Sequence, residues 1–418
     1  MKLSWMGRIA MAMLASVALG IGMTACGGGT IGYLWVLGDQ YNQITGFKVD
    51  DFTGNLTQVI GSPFSSNGVN PVSIVIKPGG RYVYVINQGT GGTRPTATSN
   101  GKETSGGVSL YSVGGDGVLT FQQSYQTQGV SPMWAQFDGS GSFLYVLDKY
   151  SPDPHYYSAG TTPGSITAFS VDASTGRLTL ITNSAILDPV THVPTTYFNV
   201  GPAPTMIKTA GGCLFTLDTG DNTVFPYSFG SNGQLTLTTT GGGIPVSGNN
   251  LTSINGNGSS VFVTASGSPG TIFPFSIGSN CNLTTLAGGA VRGETGTSNP
   301  VYSLVDNSGK YLYVLNQSTI NQGGGTTTPF SSISAYNILS STGQLQAIAG
   351  SPYPVGSGPV CAVEDTSNQY IYVSNRNDGT VTGKVIDSTT GELSALSRGS
   401  TFPASGLGSC LALSGNVN

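Results

Sequence analysis

The chain has 418 residues and a formal net charge of −4, and only 8% of it is charged, against roughly 25% in an ordinary soluble domain. Helix surfaces dressed in Glu, Lys and Arg are excluded, and so is charge-driven disorder, because 19 Tyr and 16 Phe remain to build a core. Weak acidity also excludes the basic footprint of nucleic-acid binding, while 63 Gly and 22 Pro predict short strands joined by many turns.

The chain opens on an export signal. Lys2 and Arg8 precede an apolar stretch over residues 9–23, too short to span a bilayer and long enough for a signal-peptide core. Met23, Thr24, Ala25 and Cys26 follow, and this segment resembles the lipobox of bacterial lipoproteins. The resemblance implies cleavage after residue 25, acylation of Cys26, and a short tether over residues 26–30. Membrane attachment is then through Cys26 alone, with two or three acyl chains each adding about 0.8 kcal/mol per buried methylene. Gly27 stands where a retention signal would place Asp, which points to the outer membrane, on its periplasmic side or at the surface.

Residues 31–418 are expected to form one domain. An apolar strand recurs along it at 33–37, 82–86, 143–147, 213–217, 261–265, 311–315 and 370–374, about 50 to 70 residues apart. A Gly-, Asn- or Ser-rich turn precedes most copies, with another apolar strand before the turn. Two further alternating strands follow, as in 108–113 and 166–171 and the segments after them. Four antiparallel strands per repeat, here named A to D in chain order, make a propeller blade. The chain opens on a B strand and closes on an A-like strand at 410–413, so both ends share one blade. The fold class is therefore all-β, a seven-bladed β-propeller whose ring is closed by a C-terminal A strand.

The strands ending in Asn87, Asp148, Asp218, Asn316 and Asn375 resemble the YVTN-type propeller repeat. Residues 138–148 with 164–172 resemble the seven-bladed lactonase family, which includes propeller 6-phosphogluconolactonases and carboxymuconate-lactonising enzymes. The resemblance covers all seven blades and implies their fold. Its motif residues read as structural, the Asx side chains capping backbone at strand ends. The stretch 130–136, where working members carry a His-rich segment, contains no His, so no catalytic residue is carried over.

Strand direction places every B–C loop and D–A connection on one face. The long insertions, 88–107, 149–164, 182–203 and 317–332, all fall there. Both histidines lie in them, and His155 with Asp153 or Asp188 forms a candidate general-base pair. His192 is the other candidate base. Lys208 and Glu364, on or near innermost strands, are candidates facing the channel. Arg94, Arg292, Glu294 and Arg376 are candidate ligand-binding groups on the loop face, beside Lys102 and Asp378. Trp134 and Tyr302 fall two residues after Pro132 and Pro300 and are expected to pack between blades. Cys361 and Cys410 occupy equivalent places in neighbouring blades, a possible disulfide across the closure. Two His in the chain and no CxxC spacing argue against a metal site, and no cofactor is expected.

Two functions follow. One is a monomeric envelope propeller that binds an envelope protein, glycan or small molecule on its loop-rich face. The alternative is a lactonase-type hydrolase opening a sugar or aromatic lactone in the channel on that face.

Overall fold

The computed structural model describes residues 29–156, 162–188, 192–240, 242–317 and 331–415. The signal segment and Cys26 lie outside them. The fold is a seven-bladed propeller of antiparallel sheets. Blade 1 joins Thr30–Gly38, Gln43–Asp50 and Leu56–Gln58 to the last strand, Gly408–Gly415, which lies innermost against Thr30–Gly38. The innermost strands of blades 2 to 7 are Pro71–Ile76, Val130–Phe137, Pro204–Ala210, Leu251–Gly256, Pro300–Val305 and Pro359–Glu364. Closing the ring with strands from both chain ends removes the free radial edge.

The B strands are apolar along their whole length because blades cover both of their faces. In Tyr82–Asn87 and Cys213–Asp218 nearly every residue is buried. D strands lie at the rim and bury at most one side chain, as in Leu283–Thr285 and Leu393–Ala395. They are short because the rim is divided. After D, a second short strand returns to pair with C in six blades, as Phe64–Ser65 does with Gln43–Asp50. That fifth strand is absent from the four-strand reading of the sequence, since in five of the six blades it is two or three residues long and carries no legible alternation.

The repeated aromatic at the third position of strand B locks five of the seven blades to the next, blade 5 carrying Phe262 there, which has no hydroxyl. Tyr84 donates to the carbonyl of Gly176 at 2.6 Å, Tyr145 to Gly233, Tyr313 to Gly391 and Tyr372 to Gly54. Trp35 does the same through its indole N–H to Gly117. Each acceptor glycine has a positive φ in the C–D turn of the following blade. At Gly176 a β-carbon would lie 2.6 Å from the Tyr82 ring, so another residue there would push the blades apart. In blade 4 the equivalent residue is Phe215, which has no hydroxyl. There the disulfide Cys213–Cys281 (S–S 2.06 Å) joins strand B to the C–D turn of blade 5 instead.

The Asx residues ending the B strands turn inward and are buried. Asn87 donates to the Ser109 hydroxyl, Asn316 to Ser334, Asn375 to Thr382, and Asp148 accepts from Thr167 at 2.7 Å. Each ties strand B to strand C of its own blade, a structural role.

The innermost strands of blades 2 and 4 to 7 slip register at their second residue, and that of blade 3 slips at Met133, between Pro132 and Trp134. Such a bulge re-aims the side chain that follows it. The residues just past the slip are Ser73, Trp134, Met206, Ser253, Tyr302 and Cys361, and Cys410 completes the layer. Four of these, Ser73, Trp134, Tyr302 and Cys410, line the cavity described next.

Candidate functional site

The described parts of the insertions 88–107, 149–164 and 182–203 lie on one face, residues 318–330 of the fourth falling outside the described residues, and several of their charged groups fasten them. Arg94 donates to the carbonyl of Tyr156 at 2.8 Å, joining the insertion of blade 2 to that of blade 3. Lys102 donates to the carbonyls of Thr127 (2.7 Å), Gln128 (3.0 Å) and Gly129. Beside it Glu103, buried, accepts from the Ser131 N–H at 2.8 Å. Burial lowers the Lys102 ammonium, opposed by the nearby Asp148 and Glu103. Burial likewise pushes the Asp148 carboxyl up to about 6, against hydrogen bonds from Thr127 and Thr167.

Arg376 forms an ion pair with Asp39 at 2.6 Å, bridging the B–C turns of blades 7 and 1. Glu294 accepts from the Ser351 hydroxyl at 2.7 Å, and Ser351 also receives the Ala335 N–H. Asp378 accepts from the Ser357 N–H at 2.7 Å. Of the four candidate ligand-binding residues, Arg292 alone is fully exposed, on the short rim strand Val291–Arg292 of blade 5.

His155 and Asp153 do meet, the ring Nδ1 lying 2.9 Å from Oδ1. The imidazole is 65% exposed and the carboxylate buried. Asp153 is held from behind, since its Oδ2 accepts from Asn199, whose own carbonyl accepts from Ser151 at 2.6 Å. A backed carboxylate that fixes one ring nitrogen leaves the other to solvent, the arrangement of a positioned base. Asp188 and His192 lie elsewhere, in the hairpin of Asn183–Leu187 with Pro194–Thr195, where the His192 N–H donates to the Asp188 carbonyl. The support from Asn199 is invisible in sequence, because it stands 46 residues from Asp153.

The central channel is closed towards the long loops. Trp134 of blade 3 and Tyr302 of blade 6 meet across it, with ring centroids 6.3 Å apart, instead of packing only between adjacent blades. Cys361 and Cys410, in the same layer, are joined at an S–S distance of 2.09 Å. Beyond this ceiling lies a cavity of about 440 Å³ that reaches the A–B turns at Pro78, Asp138 and Gly139. The channel site is therefore offered to the face opposite the insertions. Lys208 lines it, while Glu364 turns between blades, its Oε2 accepting from the Asn307 N–H at 2.6 Å. Burial raises the Glu364 carboxyl to about 8 and lowers the Lys208 ammonium to about 8. Among the described residues no three His, Cys, Asp or Glu side chains gather to hold a metal.

No family profile matches the sequence, and no curated protein matches it. Solved structures do. The chain shares its fold with lactonase-like propellers. A periplasmic gluconolactonase from Pseudomonas aeruginosa superposes with a TM-score of 0.62 at 18% identity, over 92% of this chain and 99% of that one. A candidate 6-phosphogluconolactonase from Bacteroides fragilis gives 0.66 at 16% identity, over 92% and 98%. A protein from Lactobacillus plantarum gives 0.67 at 16% identity, over 92% and 100%.

Proposed function

We propose that this protein is an exported, lipid-anchored propeller that binds an envelope partner, glycan or small molecule on its loop-rich face. The observation that carries the reading is the use of charge on that face. Arg94, Lys102 and Arg376 fasten loops to their neighbours and do not converge on a reacting centre. Such bonds hold a fixed, shaped surface, and pre-organisation favours binding by lowering the cost of ordering. Anchorage through Cys26, only a few residues before strand Thr30–Gly38 begins, sets the A–B turns towards the membrane and the insertions away from it. Protease treatment of washed membranes tests this placement: the insertions at 88–107 and 149–156 should be cut before any A–B turn.

One observation favours a second reading. The backed His155–Asp153 pair stands beside the Arg94 contact to Tyr156, a base next to a cation, and the fold is shared with a gluconolactonase. Proton release from glucono-δ-lactone, followed at constant pH, separates the two. The binding reading expects the spontaneous rate. Turnover above it that is lost in both His155→Ala and Arg94→Ala would make the protein a lactone hydrolase.

A further inference from the structure

The cavity beneath Trp134 and Tyr302 has a composition that solvation alone does not explain. Its walls are apolar at Ile74, Val75, Leu304, Val363 and Leu411. Polar side chains interrupt them: Ser73 and Thr209, Asp138 at the mouth, and Gln136 with Lys208. Gln136 and Lys208 hold equivalent register positions, opposite Tyr145 and Phe215, on the neighbouring innermost strands of blades 3 and 4. The same position is Val75 in blade 2, Leu304 in blade 6 and Val363 in blade 7. In blade 5 it is Asn255, whose amide is committed to the Ser303 carbonyl at 2.7 Å and to the Gly256 N–H.

Lys208 and Gln136 have no such commitment. No described residue accepts from the Lys208 ammonium or pairs with it, and burial is the sole cause of its lowered pKa, with no neighbouring carboxylate contributing. The mouth carboxylates are occupied. Asp138 accepts from the N–H groups of Ser140 and Phe143, and Asp306 from those of Ser308 and Tyr311. Lys208 is half-buried in a partly apolar chamber, where an ammonium gains from meeting an anion. Here an amide donor stands beside the ammonium, which suits the two oxygens of one carboxylate. Above them the Trp134 and Tyr302 rings, inclined to each other at 38°, offer an aromatic ceiling. The volume of about 440 Å³ falls in the range of small-molecule pockets, and the opening lies at the A–B turns.

We propose that this chamber binds a small carboxylate with an aromatic or alicyclic body, the anion held by Lys208 and Gln136 and the body against Trp134 and Tyr302. The site lies on the opposite side of the ceiling from the loop face, so it stands whether that face binds or hydrolyses.

Phenylacetate and its neutral isostere phenylacetamide are the probes, titrated into the full chain in detergent by calorimetry and by tryptophan emission. Of the two tryptophans among the described residues, Trp35 and Trp134, Trp134 alone lines the chamber. The expected result is saturable binding of the acid, at least about tenfold tighter than the amide, with quenching that disappears in Trp134→Phe. Lys208→Met should abolish the preference for the acid, Lys208→Arg should retain it, and Gln136→Leu should weaken it. Calorimetry of Trp134→Phe keeps the test independent of the fluorescent reporter. Equal binding of acid and amide, an acid preference that survives Lys208→Met, or no saturable heat up to about 10 mM acid would each overturn the proposal and leave Lys208 as a hydrated side chain.

Discussion

Trp134 and Tyr302 stand three blades apart in the ring, and their rings meet at 6.3 Å across its axis. The contact follows from the bulge that precedes each of them, which turns a residue of the innermost strand out of the blade and into the channel. Tyr302 is buried there, and burial pushes its phenol up to about 12. The pair makes one end of the channel a ceiling and the other a chamber.

Replacing Trp134 by Ala should cost about 3 kcal/mol, near the lower end for a large aromatic because one side of the indole borders the cavity. Tyr302→Phe, which keeps the ring, should cost less than about 1 kcal/mol. Urea unfolding of the two variants checks the difference. Equal costs would mean that the ring contact is not what holds the ceiling.

The Cys361–Cys410 bond spans 49 residues and joins the innermost strands of blades 7 and 1 at the point where the ring closes. Cross-linking a loop of that length restricts the unfolded chain and should stabilise by about 2–4 kcal/mol. The double variant Cys361→Ala/Cys410→Ala should lose that amount in thermal unfolding. Peptide mapping without reduction should recover residues 361 and 410 in one linked species.

Glu364 gives the protein a pH dependence of known sign. Its carboxyl is raised from 4.5 to about 8, first by burial and then by the charges of Asp306 and Asp365, against the Asn307 N–H. The neutral form is favoured in the folded chain. Its contribution is therefore fully present below about pH 4.5 and is lost as pH rises through about 8. Glu364→Gln keeps an acceptor for the Asn307 N–H and removes the ionisation. Relative to wild type it should gain stability across this window, by at most about 1.4 kcal/mol per pH unit. Urea unfolding at several pH values for both proteins measures this. Parallel profiles would place the ionisation elsewhere, since Asp148 titrates in both.

The blade period and the closure were legible in the sequence, and for one reason. Each is written in local spacing: an apolar strand returning seven times, a B strand first and an A strand last. The His155–Asp153 pair was legible too, because two residues separate its members. What sequence could not decide was direction and commitment. The same Tyr, Trp or Cys two residues after a Pro could face a neighbouring blade or the axis. Only the bulge in three dimensions turns Trp134 and Tyr302 into the channel. Likewise Arg94, Glu294 and Arg376 read as free charges until Tyr156, Ser351 and Asp39 arrive from distant segments to use them. Lys208 shows the converse, for its lack of a partner among the described residues is a property of the space around it. Period follows from the chain itself, whereas which side chains remain available depends on what the ring brings beside them.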